Sequence, residues 1–489
     1  MESKGCHSLR GRNVPRRGRA APVVVLGAAL VAALALPAAA QGLRQWQDAA
    51  VASDPALAGA EAQQRAGAER AEQAAAALRP SVGLGASASR TDYHDLTGLS
   101  QPPDRDFSTR QYALSLNQPL YRPVPWQALQ QSRVAVDALE AQRDAVHADL
   151  LQRMVGAFFE LQAVRSDLVQ LRGQRQATAE QLALARRSFD AGTVSIVDVR
   201  DAEAKFDAVT AQEAAAEMER QAKEAALEQV VGQRVQVPGA GLPPAEAPDL
   251  GEADLTRWLD LAESGSPVVR QARLALAVAQ LEVRKMQAGS LPTLDFSLSQ
   301  QAVRAGATTV SALPQSGRFV QAGLNLNVPL YAGGGLDARV REAVAQEDKA
   351  AADLEAARRQ VGGAVRQAFY AALGAIAQFR GLQAAERSAE TALAANRRGY
   401  EVGVRIGADV LAAQSQLYQT RRDKARAGYE AWAQFFRLKT AAGAAGEEDL
   451  ARIDGLFAPA ASGVALAAAA PAPAYPGLIR RLRLTQSAR

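Results

Sequence analysis

The stretch Tyr112-Ala113-Leu114-Ser115-Leu116-Asn117-Gln118-Pro119-Leu120-Tyr121 has an echo in Ala322-Gly323-Leu324-Asn325-Leu326-Asn327-Val328-Pro329-Leu330-Tyr331. In both, apolar side chains occupy alternate positions, Tyr112, Leu114 and Leu116 in one and Ala322, Leu324, Leu326 and Val328 in the other, and a proline follows. A period of two sends successive side chains to opposite faces of a strand. Proline cannot donate to a strand ladder, so it marks the strand's exit. Each stretch has an alternating partner upstream. Val82, Leu84, Ala86 and Ala88 alternate with Ser81, Gly83, Gly85, Ser87 and Ser89, and Leu294, Phe296 and Leu298 alternate with Asp295, Ser297 and Ser299. Strands are therefore expected at about 81–89, 110–118, 293–300 and 319–328. Polar loops bearing Pro or Gly, 90–109 and 300–318, join them in pairs.

The echo extends in both directions at an offset of 210 to 212 residues. Trp46, Asp48, Ala50 and Pro55 recur as Trp258, Asp260, Ala262 and Pro267; Phe158-Phe159 recurs as Phe369-Tyr370. Arg186-Arg187-Ser188-Phe189 through Gly192 to Asp198-Val199 recurs as Arg397-Arg398-Gly399-Tyr400 through Gly403 to Asp409-Val410. So long a period fits a duplicated unit, here 41–245 and 246–446, rather than a solenoid. Each unit reads helix, strand, strand, very long helix, returning helix, with hairpins at about 121–232 and 331–442. No proline lies between Pro125 and Pro238 or between Pro329 and Pro459. From Trp126 to Phe189 the only glycines are Gly156 and Gly173, so a helix there is a rod of about 95–100 Å. Composition agrees: the chain is 48% hydrophobic but only 5% aromatic, because much of the apolar count is alanine. Alanine favours helix and buries little area, which suits long, closely packed rods better than a compact α/β enzyme.

Residues 1–40 read as a secretory signal peptide: a basic start ending at Arg19, an apolar run Val23–Leu36, and Ala38-Ala39-Ala40 before an expected cleavage at Gln41. That run is shorter than the roughly 20 residues of a spanning helix. The single cysteine, Cys6, lies in this leader, so the mature protein is expected to have no disulfide, thiolate site or lipid-bearing cysteine. The chain has 56 Lys+Arg and 51 Asp+Glu; the leader holds six bases and one acid, leaving 50 of each. That balance gives no electrostatic reason for nucleic-acid binding. There is no GxxxxGK[ST] and no HExxH, and His7, His94 and His147 are scattered. No catalytic, cofactor or metal site is expected.

Exported strands with one apolar and one small polar face fit an outer-membrane barrel, with lipid outside and water within. Unpaired strand edges are too costly in hydrocarbon, and four strands are too few to close. Identical copies must supply the rest: two chains give eight strands, three give twelve. A periplasmic coiled-coil scaffold would explain the rods but not the duplicated strand pairs.

In these features the sequence resembles the TolC-type outer-membrane channels of efflux and type I secretion, over nearly all of 41–446. The motifs are Gln118-Pro119-Leu120-Tyr121, Val328-Pro329-Leu330-Tyr331-Ala332-Gly333-Gly334, and the turns Phe189-x-x-Gly192…Asp198 and Tyr400-x-x-Gly403…Asp409. The resemblance implies a mainly α fold with a small transmembrane β part: a trimeric 12-stranded β-barrel continued by a periplasmic α-helical barrel. It implies a homotrimer in outer-membrane lipid, reaching into the periplasm, with no catalysis of its own. A periplasmic adaptor would dock it to an inner-membrane ABC transporter, or to a proton-driven efflux transporter. The missing lipidation cysteine favours the type I secretion branch, with tripartite drug efflux as the alternative.

It also implies a gate at the rod ends. Asp198 on the first hairpin, with Tyr400 and Arg405 on the second, match latch positions, and both donors suit a carboxylate. Asp409 matches a ring of three carboxylates that favours cations; a second acid one turn later is replaced by Ala412. Asp201 is a further candidate. Gly192, Val194, Ser195, Gly403, Val404 and Ile406 would form the turns that meet the adaptor. More simply, the glycines end helices at positive φ and the aspartates sit in first helical turns. The tail, 447–489, is Ala/Pro-rich and then basic (Arg480, Arg481, Arg483), and is expected to be largely disordered.

Overall fold

The computed structural model describes residues 42–457 apart from 95–103, 236, 238–243, 245, 251–253 and 307–312; the expected leader lies outside them. The described part begins with α1 (Leu43–Ser53) and α2 (Pro55–Ala76). Asp54 sits between them and caps α2 by accepting from the Leu57 N–H at 2.8 Å, with Pro55 opening the helix. Then come β1 (Ser81–His94), β2 (Asp104–Tyr121), α3 (Pro123–Asp190) and α4 (Ile196–Val231). The second series is α5 (Leu255–Gly265), α6 (Pro267–Gln287), β3 (Thr293–Ala305), β4 (Gln315–Asn327), α7 (Gly335–Glu401) and α8 (Gly407–Ala441). A further helix, α9 (Glu447–Phe457), closes the described part.

The four strands form one antiparallel sheet in the order β1-β2-β3-β4. Its register stacks like on like. Val82, Leu116, Leu298 and Ala322 form one row on one face; Gly83, Ser115, Ser299 and Gln321 form the adjacent row on the other. Val82, Leu84, Leu324 and Leu326 remain 63–78% exposed in the single chain. The strands outrun the expected limits because pairing continues after the alternation ends. Arg90, opposite Ser108, hydrogen-bonds Asp106 with both Nε and Nη2. At the other end the ladder shifts between Pro119 and Tyr121, which brings Tyr121 opposite Leu294. Arg122 then grips Asp295 of β3 through Nε at 2.7 Å and Nη2 at 2.9 Å, fixing the strand-to-helix corner.

Pro123 and Pro125 lie in the first turn of α3, where a missing N–H costs no helical bond, so the rod starts before Trp126. Its 68 residues give about 100 Å, whereas the 36 of α4 return about half as far. α3 packs against α2 and α6 near the sheet and against α4 and α8 further down; α7 likewise packs on α6 and then α8. The few aromatic residues concentrate at a waist midway along the rods. There Met154, Phe158 and Phe159 of α3 meet Leu227 of α4, Tyr429, Trp432 and Phe436 of α8, and Trp46 of α1.

The first eleven residues of the tail depart from expectation. Residues 447–457 are helical, with Leu450 and Ile453 buried in the waist core. Asp454 accepts from the Leu43 N–H at 2.7 Å, and Glu447 pairs with Arg44 at 3.1 Å. Apolar burial against α1 thus orders the start of a segment whose composition suggested none. Residues 458–489 lie outside the described part.

Candidate functional site: the paired turns at the rod ends

Both rods end in the same backbone device. After α3, Gly192 has φ 73°; its N–H donates to the Phe189 carbonyl at 2.8 Å, and that of Thr193 to Ser188 at 2.9 Å. After α7, Gly403 has φ 77°; its N–H donates to Tyr400 at 3.1 Å, and that of Val404 to Gly399 at 2.8 Å. Such closures satisfy the last carbonyls of a helix through a left-handed residue.

The returning helices start differently. Ser195 caps α4: its Oγ accepts from the Val197 N–H at 3.2 Å, while the Asp198 carboxylate accepts from the Ser195 N–H at 3.0 Å. This is a capping box. The equivalent of Ser195 is Ile406, which provides no side-chain cap to α8. Asp409 in the first turn instead pairs with Arg405 at 3.6 Å.

Between the turns lies a cavity of about 330 Å³, lined among others by Val194, Ser195, Asp198, Asp201, Tyr400, Arg405 and Ile406. Six expected site residues and the further candidate Asp201 therefore share one space. Asp409, Gly192, Gly403 and Val404 do not line it. No described hydrogen bond joins Asp198 to Tyr400 or Arg405, since Asp198 is engaged by its own helix start and Arg405 by Asp409. Behind the cavity, Leu182, Val199, Ala202 and Leu411 pack together and tie the hairpins at the tip. Val402, 73% exposed, and Val197, 61% exposed, add to the apolar surface there with Val404 and Ile406. Val197 lies in the first turn of α4 and Val402 caps the end of α7, positions where a lone apolar residue reads as ordinary helix packing.

Higher up, α3 and α8 are bridged by polar contacts. Arg422 donates to Gln174 at 2.9 Å and Arg426 pairs with Asp167 at 3.1 Å. Burial pushes the Asp167 carboxyl above its usual range, though Arg426 and Arg422 oppose this. Between α7 and α8, burial also acts on Glu386, but Lys424 and Arg421 outweigh it and hold that carboxyl below the usual range. No cluster of three possible metal ligands, and no helix long and apolar enough to cross a membrane, occurs among the described residues.

A narrow antiparallel sheet with an exposed apolar face, continued by duplicated rods of about 100 Å, defines an outer-membrane channel of the TolC type. The sequence profile of the family described as outer membrane efflux protein matches residues 46–233 and again 258–444, and the chain belongs to that family. It is similar to the proteases secretion protein PrtF of Dickeya chrysanthemi, with 29% identity over 432 residues, 86% of this chain and 92% of the relative. It is also similar to the outer membrane protein TolC of Escherichia coli (strain K12), with 28% identity over 427 residues, 84% of each chain. The crystal structure of the outer membrane protein VceC from Vibrio cholerae superimposes with a TM-score of 0.68 at 20% identity, covering 82% of this chain and 96% of that one. The protein is an outer-membrane channel component that extends into the periplasm, and its family and relatives are channels rather than enzymes.

Proposed function

We propose that the chain assembles as a homotrimer and serves as the exit duct of a type I protein secretion system. In this reading it docks an inner-membrane ABC transporter through a periplasmic adaptor. The observation that carries the assembly is the open sheet: β1 and β4 are its outer strands, and each must find a partner where water is absent. Three chains give a closed barrel of twelve strands, with the rods forming a tube beneath it. Two features support secretion over other traffic. The chain matches a protein named for protease secretion along nearly its whole length, and its only cysteine is Cys6, within the expected leader.

The rod tips are the proposed gate. Asp198, Tyr400 and Arg405 face one cavity from two hairpins, so a small hairpin displacement makes or breaks contact among them. Asp409, repeated threefold, would line the constriction and favour cations. Gly192, Val194, Ser195, Gly403, Val404 and Ile406 form the turns that would meet the adaptor.

The second reading, the outer component of a tripartite drug efflux pump, is favoured by the description of the matched family. Deleting the gene in its host separates the two. Loss of one or more exported proteins from the medium, with drug susceptibility unchanged, is the expected result. Hypersensitivity to small toxic compounds with an unchanged secreted profile would overturn the secretion reading.

A further inference from the structure

Beneath the middle of the sheet, where strands give way to helices, lies a cavity of about 740 Å³. Leu78, Leu120, Tyr121, Trp126 and Leu291 supply apolar and aromatic wall, and Arg284 of α6 supplies a cation. The other guanidinium there, Arg122, is neutralised by its double hydrogen bond to Asp295. Arg284 is exposed and has no carboxylate partner among the described residues. We propose that this cavity binds one glycerophospholipid of the membrane leaflet nearest the periplasm, with its phosphodiester on Arg284 and an acyl chain along the apolar wall.

Three observations converge on that occupant. The first is height. The bulge sets Tyr121 opposite Leu294, which in turn faces Leu326, so the cavity begins where the apolar face of the sheet ends. Half-exposed Tyr121 and Trp126 stand at this level, where aromatic residues meet lipid headgroups in membrane barrels. The second is charge: an unpaired guanidinium matches a phosphodiester in geometry and sign. The third is access. The cavity is built mainly around the end of β2, the start of α3 and the lead into β3, the two central strands; only Leu78, ahead of β1, comes from the side of an outer strand, and no residue of β4 lines it. Its volume is within the roughly 300–1,000 Å³ common for small-ligand sites, enough for a headgroup and part of a chain.

The placement uses the trimeric barrel reading, so the test counts subunits and lipids together. Native mass spectrometry of the detergent-extracted full-length trimer, titrated with phosphatidylglycerol, should show retention saturating at three lipids per trimer. Arg284→Ala should weaken it by roughly tenfold without reducing the trimer peak. Diacylglycerol, which keeps the chains but lacks the phosphodiester, should bind at least as weakly as lipid to that variant. Equal retention of diacylglycerol, or an unchanged lipid count in Arg284→Ala, would reduce the site to ordinary greasy contact and overturn the proposal. Binding of inorganic phosphate alone at Arg284 would overturn it too, as a soluble-anion site. Absence of the trimer peak counts against the assembly and is read separately from lipid loss within an intact trimer.

Discussion

Asp198 and Asp409 hold equivalent places in the two halves, yet their side chains are engaged differently. Asp198 closes a capping box with Ser195, while Asp409 faces Arg405 because Ile406 cannot cap. The first turn is therefore locally self-sufficient, and the second leaves a phenol and a guanidinium beside the shared cavity. In the gate reading the closed assembly brings Tyr400 and Arg405 of one hairpin onto a carboxylate of its neighbour, and each such bond to a charged group would contribute about 1.5–3 kcal/mol. Symmetry would triple the effect. Replacing Tyr400→Phe together with Arg405→Ser should raise single-channel conductance in planar bilayers severalfold in a folded trimer. An unchanged conductance would remove these residues from the gate. The positions were legible from the repeat, since Asp198 and Asp409 fall at the same offset as the turns. Their partners were not, because a capping box and an i,i+4 ion pair depend on which neighbour the side chain reaches first.

Among the elements, α9 marks where sequence reading fell short. Its eleven residues have no counterpart in the first half, and only a short apolar spacing, Leu450 and Ile453, hints at a buried face. Helices this short draw their stability from tertiary contact, which composition does not display. Leu450 is fully buried in the waist core, so Leu450→Ala should cost about 2–5 kcal/mol. Urea unfolding followed by tryptophan fluorescence at the waist, where Trp46 and Trp432 lie, would read that loss; a change below about 1 kcal/mol would show α9 to be dispensable. The strands and rods, by contrast, were plain in advance. Period-two alternation and long proline-free runs are local signals, and their ends slipped only where pairing or first-turn prolines extended them.

Across the whole molecule, apolar area and backbone valence are both left over. Leu84, Val320 and Leu324 stay 67–78% exposed in the single chain, and both outer strands offer an unpaired side. These deficits are complementary to membrane and to further copies, which is why alternation and strand count, read together with the leader, the long rods and the repeated motifs, pointed to the class of protein. Traffic through the channel leaves no comparable trace in one chain, because a lumen of small polar side chains is generic. The expected trimer is checked by gel migration: unheated, detergent-extracted protein should run at about three times the boiled mass. A single monomeric band without heating would refute closure by identical copies.

The bond from the Leu43 N–H to Asp454 spans 411 positions, and Gly42 has no side chain to do the same work. Without that distant carboxylate the start of α1 keeps a bare amide donor, and without α9 its packing surface lacks Leu450 and Ile453. The waist is therefore finished by residues from both ends of the described chain, and removing α9 would expose one face of α1 as well as the core it fills.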